Sequence, residues 1–213
     1  MQQKSIYVSE PKDKEEFTEN FNKFYTVFAR TYDLATRIFP FWRRWLKVTV
    51  PHIEGPKVLE VSFGTGYLLT QYADHFETYG IDYNEKFVVM LQEKLMQKGQ
   101  EANIRQGDVQ SLPYEDEFFD SIVNTMAFSA YPDGIKAMSE MHRVLKTGGK
   151  LIMVDIDYPH ERKGFGVQVT KVWIAMGDII RDMDPIFREF NFEFTDEEIG
   201  GFGSVHLYVA RKC

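Results

Sequence analysis

From Lys57 onward the chain alternates short β-branched runs with stretches of helical apolar spacing, and this alternation limits the fold more than any other feature. Lys57 to Ser62 (KVLEVS) reads as a strand. Tyr67 to Phe76 reads as a helix with Leu68, Leu69, Tyr72, Ala73 and Phe76 on one side. Glu77 to Asp82 (ETYGID) is a second strand, and Asn84 caps a helix whose apolar side is Phe87, Val88, Met90, Leu91 and Leu95. Asn103 to Asp108 and Asp120 to Asn124 are the third and fourth strands. Ile135, Met138, Met141, Val144 and Leu145 mark a helix closed by Gly148-Gly149, and Lys150 to Ile156 is the fifth strand. A helical stripe runs from Val169 to Met183. Phe190 to Thr195 and Ser204 to Ala210 are two late strands joined by the Gly200–Gly203 turn.

Repeated strand–helix alternation with short connections predicts an α/β fold, a doubly wound, mainly parallel, seven-stranded sheet with helices on both faces. The two closing strands leave no room for a helix between them, so they form a C-terminal antiparallel hairpin. Ahead of this core, residues 1–16 are polar and expected to attach loosely. An aromatic-rich helical region, broken at Pro40, follows to about Val50. At 213 residues the expectation is one domain, 1–213, with an N-terminal helical region 1–50 and a core 57–213.

Charge narrows the partners. The net charge of −7 lacks the cationic excess that phosphate neutralisation needs, which argues against nucleic acid. No run is long and apolar enough for a membrane span, and the first twenty residues lack the apolar core of a signal peptide. With one cysteine, Cys213, the expected location is cytoplasmic. Oligomeric state has no signature in the sequence.

In an open α/β sheet, ligands bind beyond the carboxyl ends of the strands where strand order reverses. After the first strand comes Glu60-Val61-Ser62-Phe63-Gly64-Thr65-Gly66, whose glycines permit a tight turn and close backbone approach. Asp82 follows the second strand, suited to accept two ribose hydroxyls. Gly107-Asp108-Val109 follows the third, suited to an adenine. Asn124 to Phe128 follows the fourth. A nicotinamide fingerprint needs a third glycine where Leu69 stands, which counts against a dehydrogenase. The five histidines have no metal-ligand spacing, so no metal is expected. His160 is a candidate base after the fifth strand, with a surface-loop histidine as the alternative. Arg37, Arg43, Arg44 and Lys47 interleave with Phe39, Phe41, Trp42 and Trp45. They read as snorkelling cations on a packed helix, or as a patch for a membrane surface or lipophilic acceptor.

These segments resemble the class I S-adenosylmethionine (SAM)-dependent methyltransferases. VLEVSFGTG (58–66), YGIDYN (79–84), QGDVQSLPYEDEFFDSIV (106–123), MHRVLKTGGKLIMVD (141–155) and VHLYVARK (205–212) match the family's segments in order. The resemblance implies SAM as cofactor and a small-molecule acceptor. It implies that Glu60 contacts the methionine amino group, and that Ser62, Gly64 and Gly66 form the loop beneath the cofactor. Asp82 would hold the ribose, Tyr83, Asp108 and Val109 would surround adenine, and Asn124 would stand near the methyl-transfer end. Ser62 stands where the family often has glycine, which implies a tighter turn and weaker SAM affinity. Tyr32-Asp33 and FPFWRRWLKV (39–48) resemble the leading helices of quinone-biosynthesis C-methyltransferases, implying an N-terminal helical lid that holds Tyr32, while Phe128 and His160 are candidate substrate residues by their places after the fourth and fifth strands. A non-catalytic SAM-binding or partner-binding protein of the same fold is the alternative.

Overall fold

The computed structural model describes residues 7, 8, 10–23, 26 and 40–213. Tyr32, Asp33, Arg37 and Phe39 lie outside the described residues. Seven strands form one sheet: β1 (Lys57–Val61), β2 (Glu77–Asp82), β3 (Asn103–Gln106), β4 (Phe119–Thr125), β5 (Leu145–Ile156), β6 (Phe192–Gly200) and β7 (Val205–Lys212). Their order is β3-β2-β1-β4-β5-β7-β6. β1 to β5 are parallel, and β7 runs antiparallel to both β5 and β6. The order reverses between β1 and β4, which opens a crevice above their carboxyl ends.

The helices are α1 (residues 14–23), α2 (Pro40–Lys47), α3 (Leu69–Tyr72), α4 (Glu85–Lys98), α5 (Gly134–Val144), α6 (Phe165–Met176) and α7 (Met183–Glu189). Alternate strand residues point to opposite faces, and each face has its own core. Leu59 and Val61 pack with Met138, Met141 and Phe187, from α5 and α7. Val58 packs with Leu69, Tyr72, Phe87 and Leu91, from α3 and α4. Central strands buried on both faces explain the short apolar runs Val58–Leu59 in β1, Ile122–Val123 in β4 and Leu151–Val154 in β5.

Local chemistry sets the ends of several helices. Asn84 caps α4, its side chain accepting from the Lys86 N–H, and Gly99 ends the helix in the left-handed region. Pro40 begins α2, where a missing N–H costs nothing.

Four expectations are corrected. The Tyr67–Phe76 helix is only α3 followed by a 3-10 turn at Ala73–His75. Gly148-Gly149 does not close α5, because that helix ends at Val144 and β5 already starts at Leu145. The Val169–Met183 stripe is split, since Gly177 (φ 110) caps α6 and a separate α7 follows. Within the polar N-terminal stretch, Val8, Glu10 and Lys14 are docked rather than loose. The Val8 N–H donates to the Ile180 carbonyl, Glu10 accepts from the Gly134 N–H, and Lys14 pairs with Asp133. Among the described residues no helix is long and apolar enough to cross a membrane.

Candidate active site above the switch point

Beyond the carboxyl ends of β1, β2, β3 and β4 lies a cavity lined by Glu60, Ser62, Gly64, Asp82, Tyr83, Asp108 and Val109, among others. Residues more than twenty positions apart in sequence meet there because each follows a strand end in one sheet.

The loop after β1 is built on left-handed backbone. Ser62, Gly64 and Gly66 have φ of 53°, 55° and 72°. The two glycines serve different ends. A Cβ on Gly64 would meet nothing within 4 Å, so its backbone faces open cavity. A Cβ on Gly66 would come within 2.3 Å of Leu91, so this glycine lets α4 pack against the loop. Ser62 holds a conformation that costs a non-glycine residue about 1 kcal/mol. Its hydroxyl makes a 2.8 Å hydrogen bond with the Tyr131 hydroxyl, which also accepts from Asn124 Nδ2 at 2.7 Å. Asn124 Oδ1 is buried without a partner.

Two buried carboxyls stand on the cavity wall. Asp82 accepts the Gly64 N–H on Oδ2 at 2.8 Å and the Asn84 N–H on Oδ1 at 2.9 Å. Burial raises its pKa to about 7 against the lowering effect of those two donors. Glu60 accepts from the Tyr72 hydroxyl at 2.6 Å. Burial pushes its pKa up to about 8, the Tyr72 bond opposing and the Asp82 charge adding to the rise. A buried acid with one neutral partner is a ready site for a cationic group. Asp108 turns back to accept the Gln110 N–H at 2.8 Å, beside the buried Val109.

The opposite wall comes from the N-terminal segments: Thr18, Phe21 and Asn22 of α1 and Trp42 and Leu46 of α2. Asn84 fastens the first of these segments, donating through Nδ2 to Asn22 Oδ1 at 2.6 Å and to Thr26 Oγ1 at 2.7 Å. The segment after β4 is held from behind by buried Asp155, whose Oδ2 accepts the N–H groups of Ala127, Phe128 and Ser129.

Other expected residues fall elsewhere. Gly66 and Asn124 stand behind the cavity surface as supports. Phe128 is 2% exposed in the core, edge-on to Tyr131, and does not line the cavity. His160 is exposed at the other end of the sheet edge, bonded through Nε2 to Asp196 at 2.9 Å. Asp196 also takes the ring Nδ1 of buried His206 at 2.6 Å. His160, Glu198 and His206 bring potential ligand atoms within 4.8 Å, a grouping that sequence spacing cannot show. Both rings are already engaged by Asp196, so the cluster acts as a hydrogen-bond network. Sequence reasoning missed Tyr131, Asn22 and Thr18; only Trp42 and Leu46, within the aromatic basic run, carried a signal.

A carboxylate pinned for a diol, a glycine cradle open to the cavity, an apolar wall at Val109 and Ile81 and a second buried acid for a cation together fit SAM. This fold and site define a class I SAM-dependent methyltransferase. The methyltransferase-domain family profile matches residues 59–153, and a relative 30% identical, with 73% of its length covered, shows that the chain belongs to the SAM-dependent methyltransferases. It is 30% identical to a ubiquinone/menaquinone biosynthesis C-methyltransferase of Shewanella baltica, over 83% of this chain and 73% of that one. It is 29% identical to a demethylmenaquinone methyltransferase of Thermotoga maritima, covering 68% of this chain and 67% of that protein. A phosphatidylethanolamine N-methyltransferase of Cereibacter sphaeroides is 34% identical over 50% of this chain and 55% of the relative. A possible histamine N-methyltransferase of Thermotoga maritima shares the fold, with a TM-score of 0.67 at 17% identity over 89% of this chain and all of that one (100%).

Proposed function

We propose that this enzyme transfers the methyl group of SAM to a small lipophilic acceptor that enters beneath Phe21, Trp42 and Leu46. The observation that carries the reading is the apolar wall these three residues add to the cavity, opposite the glycine loop. When bound, SAM supplies a methyl group already activated by its sulfonium. Asp82, fixed by two backbone N–H groups, holds the ribose, and Glu60 holds the cationic amino acid end. Phe21, Trp42 and Leu46 exclude water and align the acceptor, which supplies most of what methyl transfer asks of a protein. The lining segment Thr125–Pro132 contributes no imidazole or carboxylate, and Tyr131 is its single ionisable group. This supports an acceptor that needs positioning more than a strong base.

The named acceptors of the relatives, a menaquinone precursor and phosphatidylethanolamine, are lipidic and support the same choice. We further propose a single domain 1–213, with the region before residue 50 serving as a lid, and a cytoplasmic location. The net charge of −7 supports the absence of nucleic acid as a substrate.

The test is transfer from methyl-labelled SAM to a demethylated quinol, to phosphatidylethanolamine and to water-soluble amines. Label entering an organic-soluble product supports the proposal. Label confined to water-soluble acceptors overturns it.

A further inference from the structure

A second, open cavity adjoins the first. It is lined by Arg43, Arg44, Lys47, Val48 and Tyr67. Tyr67, next to Gly66 of the loop, lines both cavities. All three cations come from the eight-residue α2 and its polar side. Arg43 and Lys47 are one turn apart, as are Arg44 and Lys47, a spacing at which like charges repel.

Among the described residues no carboxylate lines this cup, and none of the three cations is ion-paired. That is notable in a chain with 32 acidic and 25 basic residues. The Arg43 guanidinium carbon lies 4.2 Å from the centroid of the Tyr67 ring, and Lys47 Nζ lies 5.8 Å from it. Stacking on Tyr67 fixes the guanidinium plane while leaving its edge for an acceptor. Arg43 Nε is buried and has no hydrogen-bond partner. A donor in that position is normally satisfied.

We propose that this cup binds a phosphate group, the anionic end of an amphiphile whose apolar part reaches the wall of Trp42 and Leu46. The binding of phosphate stands on the cup alone; the link to the methyl acceptor rests on the function proposed above. Phosphate chemistry matches a guanidinium fork flanked by two further cations. It has two sources, a phosphate ester on a free acceptor or the headgroup of a phospholipid.

The experiment uses the full chain and the triple variant Arg43→Gln/Arg44→Gln/Lys47→Gln. Glutamine keeps the helix propensity of α2 while removing the charges. Phenyl phosphate is titrated calorimetrically. Binding to phosphatidylglycerol vesicles and to phosphatidylcholine vesicles is measured by co-sedimentation. S-Adenosylhomocysteine is titrated in parallel.

The wild type is expected to bind phenyl phosphate or phosphatidylglycerol saturably, with the triple variant weakened at least about tenfold. Added salt weakens the wild type and has little left to weaken in the variant. Saturable phenyl phosphate binding assigns the cup to a free phosphate ester. Binding to phosphatidylglycerol alone assigns it to a headgroup. No binding of either probe by the wild type, or equal binding by the triple variant, overturns the proposal. An unchanged S-adenosylhomocysteine affinity shows that the variant is folded. Failure of the wild type to bind S-adenosylhomocysteine would strike the methyltransferase reading and leave the phosphate cup standing.

Discussion

Gly64 and Asp82 are joined by a 2.8 Å hydrogen bond from the glycine backbone N–H to the carboxylate Oδ2. The bond ties the loop after β1 to the end of β2, and so fixes the loop's height above the sheet. Gly64 itself has a left-handed φ of 55°. The same backbone leaves the glycine's missing side chain facing open cavity.

Gly66→Ala is expected to destabilise the protein by about 2 kcal/mol or more, because its Cβ collides with Leu91 and its φ is unfavourable for alanine. Urea unfolding measures this. An unchanged midpoint would show that α4 can move away from the loop at little cost.

Ser62 and Tyr131 separate two effects. Ser62→Gly relieves about 1 kcal/mol of backbone strain and loses one hydrogen bond of similar worth, so stability stays nearly level. The looser turn should tighten S-adenosylhomocysteine binding, which calorimetry reads directly. Tyr131→Phe leaves the buried Asn124 amide without its acceptor and should cost about 1–3 kcal/mol in unfolding. Weaker ligand binding by Ser62→Gly would show that the serine hydroxyl takes part in holding the ligand.

Glu60 and Asp82 give a pH dependence of definite sign. Their pKa values are raised to about 8 and about 7, so the unliganded fold binds more protons than the unfolded chain. Their contribution to stability is full below the ordinary carboxylate range and is lost as pH rises through those two values. A cationic ligand favours the charged carboxyls and releases protons on binding. Its affinity should therefore improve as pH rises toward 8, and titration in buffers of different ionisation enthalpy should register the protons. Glu60→Gln should flatten the profile. A pH-independent affinity in the wild type would contradict the burial argument.

The His206–Asp196 pair makes a separate prediction. Burial lowers the His206 pKa, but the Asp196 bond, the charges of Asp196 and Asp157 and the Gly203 carbonyl outweigh it, and the net shift is upward from 6.5. That stabilisation is complete below pH 6.5 and is lost as pH rises through the folded value. His160, Glu198 and the Tyr208 ring stand around the pair, the Tyr208 hydroxyl donating to Asp157. Burial raises the Asp196 pKa, but its bonds to the two histidines prevail and hold it below 3.8, so its share is lost only in acid. The loss of thermal stability above pH 6.5 should be smaller in His206→Gln than in the wild type. Equal losses would show that the pair does not carry it.

Much of this was legible in the residues. Strand–turn–helix periodicity located the strands, and the acids at their ends located one side of the cavity. Segment boundaries were less legible. Gly148-Gly149 resembles a helix stop yet lies in an irregular stretch of β5, between Leu145 and Lys150, which pair with β4 on either side of it. Asn124 and Phe128 were placed near the site by their position after β4. Their side chains turn inward, and Tyr131, a few residues further along, reaches the cavity instead. The meeting of Asn22 and Thr26 with Asn84 depends on how the N-terminal region folds back, which no local pattern encodes.

The most direct test is calorimetric titration of the protein with S-adenosylhomocysteine, repeated on Asp82→Ala. Saturable binding is expected in the wild type. The variant should lose about 1–3 kcal/mol, the worth of a hydrogen bond to a charged group. Absence of binding at millimolar ligand, or an Asp82→Ala affinity equal to that of the wild type, would contradict the placement of the cofactor above this switch point.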